Sequence, residues 1–256
     1  MPRLQQEAKS GGSQRWLQVA VNSCPSVIDS AIRNTGIRLD EPIVWKSPLD
    51  SDDFAEYMDA AFLARLEVRL DQRGLGDFWP NSGPRWDGLA RSGDSVLLIE
   101  AKANISELNS PPCRARPSSY AKIRAALSET RDCLKVKSDT DWTRCFYQYA
   151  NRLAHLYLLR KLNGCDAYLV FVYFVDDHTT KQPPVSQSGW HAAAALAKAH
   201  LGLPKSDWTS LYVRDAYIDT ANLSHVDWPP AGPRRRAGGS GLGNAVGQGP
   251  PRGAKP

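Results

Sequence analysis

Asp87, Glu100 and Lys102 are the residues whose types and spacing could do chemistry. Twelve residues separate Asp87 from the run Glu100-Ala101-Lys102. Ser95–Ala103 reads as a strand, because it carries the apolar run Val96-Leu97-Leu98-Ile99. Arg85–Ala90 reads as its hairpin partner across the turn Arg91-Ser92-Gly93-Asp94. Side chains alternate faces along a strand, so Glu100 and Lys102 project together while Ala101 points away. Asp87 precedes the turn by about as many residues as Glu100 follows it, give or take a bulge. Burying a carboxylate straight after four apolar residues is costly unless something compensates it. A cation shared with Asp87 would do so. Two carboxylates on rigid strands suit a hard cation such as Mg²⁺, with Mn²⁺ as its substitute. Lys102 would then lie beside the bound water, where it could orient that water, help deprotonate it, or stabilise charge on a phosphoryl oxygen. Taken singly, the same residues have blander readings: Asp87 as a turn or salt-bridge residue, Glu100 and Lys102 as a surface pair.

Trp86-Asp87 followed by Glu100-Ala101-Lys102 resembles the PD-(D/E)XK nuclease superfamily, in which a strand hairpin carries Asp, then Glu or Asp, any residue, and Lys. Trp86 stands where the motif's proline would be. The order of helix, hairpin, helices and strand over roughly residues 50–220 is similar to that family's core. The resemblance implies metal-dependent phosphodiester hydrolysis, with Asp87, Glu100 and the backbone at Ala101 as metal ligands. It also implies a further carboxylate from the helix before the hairpin. Asp52–Arg73 reads as that helix, ending at Gly74, with an apolar stripe of Phe54, Met58, Ala61, Phe62, Leu66 and Leu70. Rotation of about 100° per residue puts Asp59 within the stripe, with Glu56 and Glu67 at its edge. Glu56 is the preferred partner of the site, Asp59 the second and Glu67 the third.

Two more helices follow, Ser119–Val136 and Asp141–Leu162. On the second, Trp142, Phe146, Tyr149, Leu153 and Leu156 form the core stripe, and Gln148, Arg152 and His155 cluster on one flank. Gln148 and Arg152 resemble the residues that face the site on the corresponding helix of the RecB-like branch, although no tyrosine stands at the second position. Lys122, Arg124 and Arg152 are the expected phosphate contacts. His155 more often means a satisfied core histidine than a ligand. Asn104–Pro117 reads as a proline-broken loop, Ala167–Val175 as a buried strand, Trp190–His200 as a helix and Leu211–Ile218 as a last strand.

Composition sets the frame. The 256 residues are 42% hydrophobic and 23% charged, ordinary for a globular protein and enough for a sizeable core. Residues 1–14 and Pro229–Pro256 read as disordered, leaving one α/β domain over 15–228. The net charge of +5 belongs to the tail, which holds five basic residues and no acidic one. With those set aside, 27 basic residues face 27 acidic ones, so the body offers no general nucleic-acid-binding charge. Five scattered cysteines suggest neither a disulfide framework nor a zinc site. The polar N-terminus and the short apolar runs give the cytoplasm as the expected compartment, with no membrane.

The expected fold is α/β, a restriction-endonuclease-like αβββαβ core with a mixed central sheet flanked by helices. The expected function is a Mg²⁺-dependent nuclease, with DNA the favoured nucleic acid and a partner protein conceivable. The alternatives are a non-catalytic binding module on the same fold, its acidic cluster a structural ion network, and, more distantly, a small-molecule enzyme using the carboxylate–lysine pair.

Overall fold

A computed structural model describes residues 3–204 and 209–228 of the chain. The elements run β1 (Arg3–Leu4), α1 (Gly12–Ser23), α2 (Pro25–Arg33), β2 (Val44–Ser47), β3 (Glu56–Tyr57), α3 (Asp59–Arg65), α4 (Leu75–Phe78), β4 (Gly88–Ser92) and β5 (Ser95–Lys102). They continue with α5 (Ile105–Leu108), α6 (Pro117–Cys133), α7 (Tyr147–Tyr157), β6 (Ala167–Val175), α8 (Gln187–His200), α9 (Thr209–Tyr212) and β7 (Val213–Asp219). The central sheet has the order β2-β4-β5-β6-β7. Its first three strands are antiparallel, and β6 and β7 lie parallel to β5. The protein is therefore mixed α/β, with helices on both faces of the sheet. Among the described residues no helix is long and apolar enough to cross a membrane.

Strand alternation on β5 builds two cores. Leu97, Ile99 and Ala101 bury against Trp16, Leu17, Ile28 and Ile32 of α1 and α2. Val96 and Leu98 face the other way, toward Ile123 and Leu127 of α6 and Leu153 of α7. Each buried side chain of this size stabilises the fold by about 1.5–3 kcal/mol before entropy is counted. Glu100 and Lys102 continue the row of Val96 and Leu98. They are thus carried under α7, into a setting otherwise apolar.

The region expected as one helix from Asp52 to Arg73 is broken. A short 3₁₀ turn covers Asp50–Asp52, β3 follows, and α3 spans only seven residues. The backbone turns left-handed at Asp53, Phe54, Asp59 and Glu67, conformations a helix interior cannot hold. Phe62 and Leu66 still bury, so the apolar spacing was satisfied by packing rather than by one continuous helix. Residues expected to be disordered at the N-terminus instead place β1 against β3, with Arg3 opposite Tyr57 and Leu4 opposite Glu56. α1 also begins within that segment, at Gly12, and runs on into residues 15–51, which hold α2 and β2 as well. The long helix from Asp141 begins only at Tyr147, and its last turn, Leu158–Leu162, is a π-helix. α5 interrupts the proline-broken loop. The tail from Pro229 lies outside the described residues.

Candidate active site

The hairpin register brings Asp87 to Glu100. Gly88 pairs with Ile99, so the next position places Asp87 across from Glu100 at the end of β4. Asp87 Oδ2 accepts the Ala101 N–H at 2.8 Å, which fixes its carboxylate against β5. The N–H and C=O of one strand residue point to the same edge. The Ala101 carbonyl therefore faces the same gap beyond the end of β4.

Glu100 and Lys102 are 1% and 6% exposed. Glu100 is held from two sides: Oε1 accepts from Lys102 Nζ at 2.5 Å, and Oε2 accepts from Arg152 Nε at 2.6 Å. Lys102 Nζ also donates to Gln148 Oε1 at 3.2 Å, and Gln148 N is anchored by Ser110 Oγ at 2.8 Å. Arg152 donates further to Asn151 Oδ1 and the Arg85 carbonyl, and its guanidinium lies 4.8 Å from the Trp86 ring centroid. Burial acts to raise the Glu100 pKa, but the charges of Arg152 and Lys102 outweigh it and hold the carboxyl below its ordinary value. Burial acts to lower the Lys102 pKa, but Glu100 and Asp87 outweigh it, so the amine stays protonated at neutral pH. Asp87 has no such cation of its own. Burial first, and the charge of Glu100 second, push its carboxyl up to about 7.

That last shift carries a prediction. Asp87 holds a proton in the folded protein at pH values where the unfolded chain has lost it. Stability therefore falls as pH rises from the ordinary carboxylate value toward about 7. Asp87→Asn should be more stable than wild type at alkaline pH by about 2 kcal/mol, less than the full shift implies because the carboxylate is partly open to water. The difference should vanish under acid. Denaturant melts of both proteins at alkaline and acid pH measure it.

Glu56 reaches the site, but from β3 and not from a helix. Trp86 N donates to the Tyr57 carbonyl at 3.1 Å, and Tyr57 and Trp86 form an antiparallel bridge. The next register position sets Glu56 across from Asp87. Glu56 is buried, accepts from Gln14 Nε2 of α1 at 2.7 Å, and has its pKa raised chiefly by burial. The other two helix candidates fall elsewhere. Asp59 accepts from the backbone of Ser82 and Gly83, bracing a loop of the cleft wall. Glu67 is on the surface, paired with Lys46 and Arg91.

The site lies where two cavities meet. One, about 920 Å³, runs past Glu56, Asp87 and Gln148 between the loops 79–85 and 111–116. The other, about 360 Å³, is bounded by the start of α1, by Glu100 and Lys102, and by Ser106 and Ser110. Gln14, Asp87, Pro111 and Gln148 line both.

Two of the expected phosphate contacts are not here. Lys122 is exposed on α6, donates to the Gly76 carbonyl, and lines neither cavity. Arg124 is exposed and likewise outside them. Both face away because Ile123, between them, points into the core. Arg152 is at the site, but its guanidinium is buried and spent on Glu100, Asn151 and Arg85, so it positions Glu100 and is not a free phosphate ligand. His155 is a core residue, packed against Trp79 and Trp86 and bonded to the Asn151 carbonyl. Burial drives its pKa down to about 3, so it stays neutral.

Sequence reasoning missed Arg85, Arg114 and Arg116. All three line the larger cavity, all are exposed, and no ion pair to any of them is found among the described residues. The alternation Arg114-Ala115-Arg116 among Pro111, Pro112 and Pro117 was the available signal: a stiff, basic loop.

A divalent cation fits the residues present in one way. No group of three or more His, Cys, Asp or Glu side chains suited to a metal is found among the described residues. The donors on offer are Asp87, Glu100 and the Ala101 carbonyl, all hard oxygens. Mg²⁺ is commonly held by one or two carboxylates, with waters and substrate phosphates completing its shell. Comparison of the chain with protein-family models, with curated proteins and with solved structures gives no match.

Proposed function

We propose that the protein is a metal-dependent nuclease of the PD-(D/E)XK kind, hydrolysing phosphodiester bonds of nucleic acid, with DNA the favoured substrate. One observation carries the reading. Asp87 opposes Glu100 across the hairpin, with Lys102 on the same face, and Asp87 lines both the smaller cavity that holds Glu100 and Lys102 and the larger one lined by Arg85, Arg114 and Arg116. The run α2, β2, β4, β5, α7, β6 follows the αβββαβ order and supports the restriction-endonuclease-like core.

Asp87, Glu100 and the Ala101 carbonyl would hold Mg²⁺, which when bound lowers the pKa of water and neutralises charge on a leaving oxygen. Lys102 stays an ammonium, so its part is to stabilise negative charge on the phosphoryl group and not to abstract a proton. Gln148 holds Lys102 in place, and Arg152 fixes the rotamer of Glu100. Glu56, across from Asp87 and oriented by Gln14, is placed to orient the attacking water. Arg85, Arg114 and Arg116 supply phosphate contacts.

One observation favours the second reading, a non-catalytic binding module. Both oxygens of Glu100 already have cationic partners, as a closed structural network would require. The test is incubation of the full chain with labelled oligonucleotide and plasmid in Mg²⁺, Mn²⁺ or EDTA. Cleavage with either metal and none in EDTA supports the nuclease. Cleavage unaltered by Glu100→Gln would mark a contaminant and leave the binding module standing.

A further inference from the structure

We infer that the cleft takes a single strand of nucleic acid, threaded past Asp87 from one cavity into the other, and does not take a duplex laid across it. The inference rests on the nuclease reading above for the identity of the substrate.

Three observations carry it. The first is depth. Glu100 and Lys102 are 1% and 6% exposed and line only the smaller cavity, set back behind Asp87. A duplex is a convex, stiff rod, and its backbone cannot press into a recess of that kind. One flexible strand can. The second is size and connection. Cavities of about 920 and 360 Å³ fall in the range that holds small ligands or a few nucleotides. They adjoin, sharing Asp87, Gln14, Pro111 and Gln148 in their linings. A phosphodiester at Asp87 would have chain on both sides of it. The walls are stiff: prolines 80, 84, 111 and 112 line the larger cavity, so widening it for a duplex is opposed by locked backbone.

The third is charge. Residues 1–228 are neutral in sum, which gives no broad basic face for a duplex. Arg85, Arg114 and Arg116 are instead gathered in the larger cavity. That suits a short stretch of one strand, with three phosphate contacts and the bases free to turn toward Tyr147 on the wall.

The test uses the full chain with Mg²⁺ and four labelled substrates of one sequence: single-stranded DNA, single-stranded RNA, a blunt duplex of two strands, and a duplex with an unpaired overhang. Single strand and overhang should be cut roughly 100-fold faster than blunt duplex, which must first be opened. The two single-stranded arms identify the sugar. Equal rates on the blunt duplex would overturn the inference while leaving the nuclease intact. A parallel arm measures binding by fluorescence anisotropy in EDTA across a salt series. Single strand should bind at least tenfold tighter than duplex, and Arg114→Ala with Arg116→Ala should reduce the salt slope by about 1.4, at about 0.7 per lost contact. Cleavage of nothing, with single-strand preference kept, would sink the nuclease and spare the cleft assignment. Equal affinity for both forms would sink the cleft assignment.

Discussion

Lys102→Met should slow metal-dependent cleavage by roughly 10²–10³-fold, the usual loss when one charge-stabilising donor is removed from the transition state. The variant should still fold, at a cost of about 3 kcal/mol for deleting one half of the buried Lys102–Glu100 pair. Methionine matches the buried lysine stem in volume, and volume-conserving swaps of this kind are tolerated best. Glu100 keeps Arg152 as its partner, so no buried carboxylate is left alone. Lys102→Arg should not restore the rate, because the side chain is almost wholly enclosed and a planar guanidinium does not fit where an ammonium sits. Single-turnover rates beside thermal melts separate the two effects. A slow, folded variant is the expected result. A stable variant with wild-type rate would remove Lys102 from the chemistry.

Arg152→Ala should act in the opposite way, as the largest stability loss at the site. It strips one of two cations from Glu100, frees the Arg85 carbonyl, and leaves a void against Trp86. Breaking a buried ion pair by deleting one partner costs about 3–5 kcal/mol. That is a large share of the about 5–15 kcal/mol that holds a domain together. Arg152→Lys should recover only part of it, since an ammonium cannot serve Glu100, Asn151 and the Arg85 carbonyl at once. Denaturant unfolding of the three proteins measures this. A loss below about 1 kcal/mol, the level of an exposed pair, would mean that Arg152 does not hold Glu100.

The clustering of Asp87, Glu100 and Lys102 was legible because three local signals agreed: an apolar run entering Glu100-Ala101-Lys102, a glycine turn, and an aspartate at matching distance before it. The pairing follows directly, with Gly88 opposite Ile99. The strand Ala167–Val175 was legible for the same reason, since nine residues without a charge have few other fates. Gln148 was found through helical periodicity and does reach Lys102.

What periodicity could not find was any part built by tertiary pairing. Glu56 was named as a helix residue, yet it reaches Asp87 through a two-residue strand pinned by β1 and by the bridge to Trp86. Short strands carry almost no sequence signal, because register and partners decide them. The same holds for the cleft arginines. Lys122 and Arg124 suit phosphate by their charge, but the core demands Ile123 and turns both outward. Arg85, Arg114 and Arg116 sit on loops, where spacing says nothing about which cavity a side chain will line.

On the proposed reading, Asp87, Glu100 and Ala101 form a cation site and not a closed ion network. Titration of Mn²⁺ into the full chain, followed by the paramagnetic signal of free metal and repeated with single-stranded oligonucleotide present, tests it most directly. The expected result is one saturable site, strengthened by oligonucleotide, weakened below about pH 7 as Asp87 takes up its proton, and lost in Asp87→Asn. Identical titrations of wild type and Asp87→Asn, with and without oligonucleotide, would contradict it and leave Glu100, Lys102 and Arg152 as structural ions.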